Sequence, residues 1–503
     1  MSPEQFQQYA ALGFNHIPIA KHCMADLDTP LSTYLKLADA PYSYLFESVQ
    51  GGEKWGRYSI IGLPCQTRLR VRDRQISIEK GNEILETHRV NDPLAFIEQF
   101  KQRYKTPKRW LELPRFHGGL VGYFGYDIVR YIEPKLDKVQ QLDPLELPEI
   151  LLMVSEEIIV FDNLRGVSSV IVYADPAQPN AFEKANARIE AIIQQLKIPY
   201  VSPPLETHES ICETDFISQT NEVEFTRMIE EIKNYIAAGD VMQVVPSRRM
   251  SIAYENAPIN IYRALRYLNP SPYLFFLNLD DHHIVGSSPE ILTRLQDESP
   301  EEQLLHNKRV CVRPLAGTRP RGKTLLEDQA LAMELLNDPK EIAEHVMLID
   351  LGRNDVGRVS QVGSVEITER CVVEYYSHVM HIVSNVEGFL APGLTAMDVL
   401  RATFPAGTLS GAPKIRAMEI IQALEPVKRG IYGGAVGYLG WDDEMDMAIA
   451  IRTAVIKDKK LYVQAGAGIV ADSVPTSEWI ETQNKGRALF RAVAMAKSGL
   501  VLD

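Results

Sequence analysis

The chain has 503 residues, is 45% apolar and 24% charged, and carries a net charge of −13. That length and apolar content are enough for a large soluble core and for two or three domains. The acidic balance excludes a chain that wraps nucleic acid or coats an anionic membrane, since both need clustered Lys and Arg, but not one that binds a small anion in a single basic pocket.

The first residues, MSPEQFQQYAALGFNH, show no basic stretch followed by an apolar one, and no run of 18 apolar residues occurs. No leader or membrane span is expected, and the expected location is cytoplasmic. Residues 14–200 alternate strand-like and helix-like stretches. MVSEEIIVFDN (153–163) and SSVIVYAD (168–175) read as strands, and 180–196 as a helix with Ala185, Ile189, Ile192, Ile193 and Leu196 at helical spacing. A Pro-, Ser- and Thr-rich stretch near 199–221 reads as a linker. The next region, 221–490, opens on a helix with Phe225, Met228, Ile229, Ile232, Tyr235 and Ile236 on one face and Gly239 as its stop. VMQVVPSRRMSI follows as a strand. YGGAVGYLGW, MDMAIAIRTAVI and KLYVQAGAGIV, split by polar turns, read as an antiparallel meander. A helix from about Ser477 to Ala496 ends the chain. GGLVGYFGYD (118–127) and GGAVGYLGWD (433–442) agree at seven of ten positions. Glycines recurring in a strand signal close backbone approach, so the two halves are expected to supply equivalent strands.

Five cysteines, Cys23, Cys65, Cys212, Cys311 and Cys371, form no CxxC pair, so free thiols are expected rather than a zinc module or a disulfide framework. Four glutamates form two pairs at i,i+3 spacing: Glu341 and Glu344 behind an Asp338–Pro339 helix start, and Glu478 and Glu481 on the last helix. Four carboxylates on two helices would make an oxygen-rich site for Mg²⁺. Two ordinary alternatives stand beside it: Glu341 as a capping-box residue and Glu481 as an i,i+4 partner of Lys485. RPLAGTRPRG (Gly317, Thr318) and GTLSGAPK (Thr408) offer backbone amides and cations for an anion, or are solvated glycine turns. His381 is a core histidine or a catalyst. Arg452, inside an apolar strand, needs an anionic partner.

The ordered set GSSPE, RPLAGTRPRG, EIAEHVMLIDLGRNDVGRV, SHVMHIVS, GTLSGAPK, YGGAVGY, IRTA, QAGAGIV and SVPTSEWIETQNK resembles the chorismate-utilising enzymes, most of all the large subunits of anthranilate synthases. LFES (45–48), GRYSIIG (56–62) and GGLVGYFGYD extend the likeness to the N-terminal half. The resemblance implies an α/β (α+β) fold of antiparallel sheets packed as a sandwich with surrounding helices. It implies a regulatory region at 14–200 and a chorismate-binding catalytic region at 221–490. It implies Mg²⁺ held by Glu344 and Glu481, with Glu341 and Glu478 in support. Tyr432, Thr408, Arg452, Lys485, Gly317, Thr318 and the backbone at Gly466 and Gly468 would position the substrate.

By the same resemblance, ammonia adds at ring C2 as the C4 hydroxyl leaves, and pyruvate is then eliminated. Glu290 would be the acid, with a raised pKa, and His381 would serve the elimination. Water-adding relatives carry a Lys where this chain has Gln243, and aminodeoxychorismate synthases a nucleophilic Lys where it has Ala316; both chemistries are therefore disfavoured. Glu47 and Ser48 of LFES, with Asn269, Pro272, Tyr273 and Leu274 of NPSPYLFF, resemble the family's tryptophan feedback site, Glu47 meeting the ammonium. Phe46 and Leu274 stand where many members have Leu and Met. No GxCxG nucleophile turn is present, so ammonia is expected from a separate glutamine amidotransferase subunit. The other readings are an aminodeoxychorismate synthase component and a tryptophan-sensing subunit with a dead chorismate site.

Overall fold

The computed structural model describes residues 1–48, 56–107, 113–139, 141–201, 210–297, 308–376 and 379–501. Residues 202–209 of the linker, and Ser377 and His378 of the SHVMHIVS motif, lie outside the described residues.

Two large antiparallel sheets dominate the described residues. One has 11 strands, in the order Ile17–Met24, Val167–Ala174, Glu157–Asp162, Tyr58–Gly62, Ser43–Glu47, Tyr273–Asn278, His282–Ser288, Thr453–Lys457, Lys460–Gly466, Ser247–Ala253 and Ile217–Ser218. The other has 12; its middle runs Ile291–Asp297, Met445–Ile449, Ala435–Gly440, Gly119–Phe124, Ile150–Ser155. Strands from 14–200 and from 221–490 are shared between both sheets.

The sheets pack on each other through a common core. Tyr44, Ile60, Phe275 and Leu277 of the first face Val121, Tyr123, Leu151 and Met153 of the second, and the Tyr44 hydroxyl bonds Ser155 of that sheet at 2.6 Å. Side chains alternate along a strand, so Leu45, Ile159, Leu274 and Phe276 face the other way. There they pack with Ile189, Leu265 and Phe490 from helices Ala181–Leu196, Ile259–Leu268 and Pro475–Lys497. With both faces buried, these strands read as near-continuous apolar runs. Among the described residues no helix is long and apolar enough to cross a membrane.

The two glycine-rich echoes are neighbours. Gly119–Phe124 pairs antiparallel with Ala435–Gly440, and the fifth residue of each motif, Gly122 and Gly437, sits opposite the other. A Cβ on Gly122 would fall 1.9 Å from the Leu151 carbonyl oxygen, and one on Gly437 2.0 Å from that of Asp446. The glycines are therefore required by close backbone approach.

The C-terminal meander is a correction. MDMAIAIRTAVI is not one strand: Met445–Ile449 belongs to the 12-stranded sheet and Thr453–Lys457 to the other. The chain changes sheets at Ala450–Arg452. VMQVVPSRRMSI also breaks, into Gln243–Val244 and Ser247–Ala253 on either side of Pro246. The helices hold closer to expectation. Glu222–Ala237 starts at a capping box in which Asn221 and Glu224 each accept the other's backbone N–H, at 3.0 and 2.9 Å.

Candidate active site

Two changes of sheet, side by side, build the centre of the site. Glu290 lies between His282–Ser288 in one sheet and Ile291–Asp297 in the other. Arg452 lies on the return, between Met445–Ile449 and Thr453–Lys457, and has φ +49°. Arg452 is thus in a left-handed turn rather than inside a strand. The two crossings are stitched together: Ile449 N donates to the Glu290 carbonyl at 3.0 Å, and Ser287 N to that of Arg452 at 3.1 Å.

Glu290 Oε2 accepts a 2.8 Å hydrogen bond from the Thr408 hydroxyl. Withdrawal from water pushes its carboxyl above the usual range, against the opposing influence of Thr408, Arg452 and Lys485. Desolvation lowers Arg452, while Glu290, Tyr432 and Glu481 favour its charged form. Burial lifts the Tyr432 phenol to about 12, with Arg452 and Glu290 among its charged neighbours.

His381, on strand Val379–Phe389, lies 2.9 Å from the Gly317 carbonyl and 3.1 Å from the Thr318 hydroxyl, both through Nδ1. A carbonyl only accepts, so Nδ1 carries the hydrogen and Nε2 a lone pair. Burial lowers the imidazole pKa and so favours the neutral ring. Gly317 has φ +70° at a bulge between Ala316 and Thr318, and a Cβ there would reach 3.1 Å from Glu341 Oε2. The Tyr376 ring meets His381 edge-on at 5.4 Å and feels the Glu290 charge.

The glutamates line the adjoining space. Asp338 caps the Pro339–Gly357 helix, accepting from Lys340 N at 3.0 Å and Glu341 N at 3.4 Å. The Glu341 carboxylate does not turn back into a capping box; it takes Arg319 Nη1 at 3.2 Å. Glu344 Oε1 accepts from the Gln243 amide at 3.0 Å. That amide also fills the space beside Gly468, where a Cβ would lie 2.7 Å from Gln243 Nε2. On the last helix, Glu481 does make the i,i+4 pair with Lys485, at 2.6 Å, while Lys485 Nζ also donates to the Gly466 carbonyl at 3.0 Å. Arg248 anchors this helix, donating to Thr482 at 2.7 Å and lying 3.6 Å above the Trp479 ring.

Burial raises the carboxyl pKa of Glu341 and of Glu478, and Glu344 adds to both shifts. Glu344 thus acts on its helix neighbour and across to the last helix. Among the described residues no three His, Cys, Asp or Glu side chains close into a ready metal cage. The donor set is nonetheless of the hard-oxygen type, and Mg²⁺ is usually held by one or two carboxylates, several waters and the substrate's own oxygens rather than by a full protein cage.

A family model described as chorismate binding enzyme matches residues 45–491. The chain belongs to the chorismate-binding enzyme family. It is 59% identical over 500 residues to anthranilate synthase component 1 from Pseudomonas putida, covering 99% of each chain. It is 46% identical over 492 residues to the Aquifex aeolicus protein of the same name, covering 96% of each. The solved anthranilate synthase component I from Streptococcus pneumoniae TIGR4 matches with a TM-score of 0.76 at 35% identity, over 93% of this chain and 99% of that one. The menaquinone-specific isochorismate synthase from Escherichia coli shares the fold, with a TM-score of 0.68 at 18% identity over 97% and 98% of the two chains.

This chorismate-binding enzyme has a second cavity, of about 290 Å³, between its sheets. Glu47, Ser48, Pro272, Tyr273 and Leu274 line it. Asn269 is not in the lining; its amide donates to Ser287 Oγ at 3.4 Å. The Glu47 carboxylate is already engaged, by the Tyr262 hydroxyl at 2.5 Å and by Arg266 at 2.9 and 3.2 Å. The Ser48 hydroxyl is buried without a hydrogen-bond partner among the described residues.

Two groups escaped the sequence reading. Tyr376 gave no signal beyond an aromatic at a strand end. Glu425 and Arg429, four apart, look like a surface pair, yet their side chains are 3% and 1% exposed. An apolar flank on both sides, IIQALEPVKRGIYGGAV, was the available cue.

Proposed function

We propose that this chain converts chorismate and ammonia into anthranilate and pyruvate. One observation carries the choice within the family: the two positions at which sibling chemistries need a lysine hold Gln243 and Ala316. The Gln243 amide is spent as a donor to Glu344 at 3.0 Å and has no basic function. Ala316 has no nucleophile. Relatedness to proteins named anthranilate synthase component 1 along nearly the whole chain supports the same choice.

Glu290 serves as the acid. Hydroxide leaves poorly, so the C4 hydroxyl departs as water by taking the Glu290 proton while ammonia forms the C2–N bond. Arg452, Lys485 and Tyr432 draw the substrate carboxylates in, and the backbone at Gly317, Thr318, Gly466 and Gly468 closes around them. His381, held neutral with its Nε2 lone pair free of the Gly317 bond, assists loss of the C2 proton and departure of pyruvate. Mg²⁺ on Glu341, Glu344, Glu478 and Glu481 would neutralise the carboxylates that otherwise repel a dianionic substrate. Ammonia would come from a partner glutamine amidotransferase.

The cavity at Glu47 would take tryptophan as feedback inhibitor. Its volume suits a small ligand, Glu47 offers a carboxylate to an ammonium, and Ser48 offers a hydroxyl lacking a partner.

Purified chain with chorismate, Mg²⁺ and ammonium is expected to produce anthranilate fluorescence and one pyruvate per anthranilate. Accumulation of 4-amino-4-deoxychorismate without pyruvate would overturn the assignment. Tryptophan binding with no turnover would replace it by a sensing role.

A further inference from the structure

The LGRND and GAPK segments take no part in the chemistry above, yet they meet behind Glu290. Asp355 lies near the end of helix Pro339–Gly357, and Lys414 opens helix Lys414–Leu424. Lys414 Nζ sits 2.7 Å from Asp355 Oδ2, with side-chain exposures of only 10% and 8%. The other oxygen, Asp355 Oδ1, is buried with no hydrogen-bond partner among the described residues. Bare buried carboxylate oxygens are costly, so an ordered water is the natural partner.

Asp355 lines a cavity of about 50 Å³ that Glu290, Thr403 and Thr408 also line. Its lining includes none of His381, Tyr432, Arg452 and Lys485. The cavity therefore reaches the acid past Thr408, on a side that His381, Tyr432, Arg452 and Lys485 do not line. At roughly 10–15 Å³ of such space per water, it holds about three to five molecules.

We infer that this cavity is a water-filled path along which Asp355 returns a proton to Glu290 in every turnover. The inference rests on the reading of Glu290 as the acid. The proton balance calls for such a path. The Glu290 O–H bond breaks as the C4–O bond breaks, and the hydroxyl leaves as water. The nitrogen that has bonded to C2 sheds one proton to solvent. The overall reaction then neither takes up nor releases a proton, so the Glu290 carboxylate must regain one. Bound substrate or product in front of Glu290 would block that side, which leaves the rear cavity. The Asp355 carboxylate takes a proton at Oδ1 from solvent near the partly exposed Leu351 and Gly407, passes it into the water chain and so returns to the carboxylate paired with Lys414, and the chain delivers a proton to Glu290.

The charges around the path are defined. Lys414 and Arg358 favour the Asp355 carboxylate while burial favours its acid form, and Glu133 faces Lys414. Arg452, Lys485, Tyr432 and Tyr376 surround Glu290. Arg313, also on the cavity wall, is paired with Glu374 and Glu369.

Asp355→Asn in the full chain, mixed rapidly with chorismate, Mg²⁺ and ammonium, tests the path. The first turnover is expected at the wild-type rate, because Glu290 starts protonated. Later turnovers should be at least about tenfold slower, with a larger D₂O effect on that phase than on the first turnover, and Asp355→Glu should restore them. Asp355→Asn strands the Lys414 charge, so the neutral pair Asp355→Asn with Lys414→Gln is measured beside it. Wild-type steady-state rates in either folded variant, or a first turnover slowed as much as the later ones, would overturn the relay. Glu290→Gln separates this from the reading beneath it. If Glu290→Gln keeps a full first turnover, the acid assignment itself falls. If Glu290→Gln loses it while Asp355→Asn shows no fast first turnover, only the relay falls.

Discussion

Arg429 ties together the loops that carry the site, and replacing it with Met should be among the most damaging single changes in the chain. Its guanidinium donates to both oxygens of Glu425, at 2.9 and 2.6 Å, to the Leu409 carbonyl at 2.6 Å and to the Val245 carbonyl at 2.7 Å. Leu409 follows Thr408, which holds Glu290; Val245 is two residues from Gln243, which holds Glu344. The ion pair is almost fully enclosed, so solvent does not screen it. Arg429→Met would leave the Glu425 charge with only the Ser247 N–H and hydroxyl, each at 2.8 Å. Breaking a buried pair from one side costs about 3–5 kcal/mol. Two carbonyls lose their donors as well, at about 1–3 kcal/mol each if water does not reach them. A loss of at least about 4 kcal/mol is therefore expected, a large part of the roughly 5–15 kcal/mol that holds a typical protein folded. Urea unfolding followed by far-UV circular dichroism measures it, with Glu425→Gln plus Arg429→Met as the control. The double variant buries no lone charge and should recover part of the loss. A cost below about 1 kcal/mol for Arg429→Met, or a double variant no more stable than the single one, would refute the reasoning.

With Glu290 as the proposed acid, activity should be present below its raised pKa and fall as pH rises through it; Thr408→Val removes a bond that favours the carboxylate and should move that alkaline limb to higher pH. A limb that stays in place in a kcat–pH profile would contradict this. Glu481→Gln should weaken Mg²⁺ activation by at least about tenfold in a metal titration, and an unchanged half-saturation would remove Glu481 from the metal site. His381→Met should slow elimination by about 10²–10⁴-fold while an aminated intermediate builds up, visible by chromatography of quenched samples. A slower overall rate with no such intermediate would take that role from His381. Glu47→Gln should abolish the response to tryptophan and leave uninhibited turnover near wild type; retained inhibition would dismiss Glu47 as the ammonium partner.

Much of the fold is local and therefore legible. Helix Glu222–Ala237 is written twice, in the period of Phe225, Met228, Ile229 and Ile232 and in the Asn221–Glu224 capping box. The strands are legible as apolar runs, but their sheet membership is not. Nothing within MDMAIAIRTAVI marks Ala450–Arg452 as the place where one sheet is left for the other, except that an arginine interrupts the apolar run. The likeness of Gly118–Asp127 to Gly433–Asp442 pointed to equivalent strands. That they pair with each other through Gly122 and Gly437 is a long-range fact. Spacing put each glutamate pair on one helix face, but the coupling of Glu344 to Glu478 depends on how two distant helices are set.

The crossings also give a route by which a ligand in the cavity at Glu47 would act on the proposed active site. Leu274, at the cavity between the sheets, pairs in register with Ser287, whose N–H holds the Arg452 carbonyl. Ala448 lines the same cavity, and the next residue, Ile449, holds the Glu290 carbonyl. One strand lining the cavity therefore ends on the backbone of Glu290, and the partner of another ends on the backbone of Arg452. A ligand seated there touches neither side chain. It acts on them only by biasing how the two sheets meet at this joint, and it does so only to the extent that it binds one arrangement better than the other. The backbone bonds that fix Glu290 against Arg452 are thus the ones through which a cavity ligand would work.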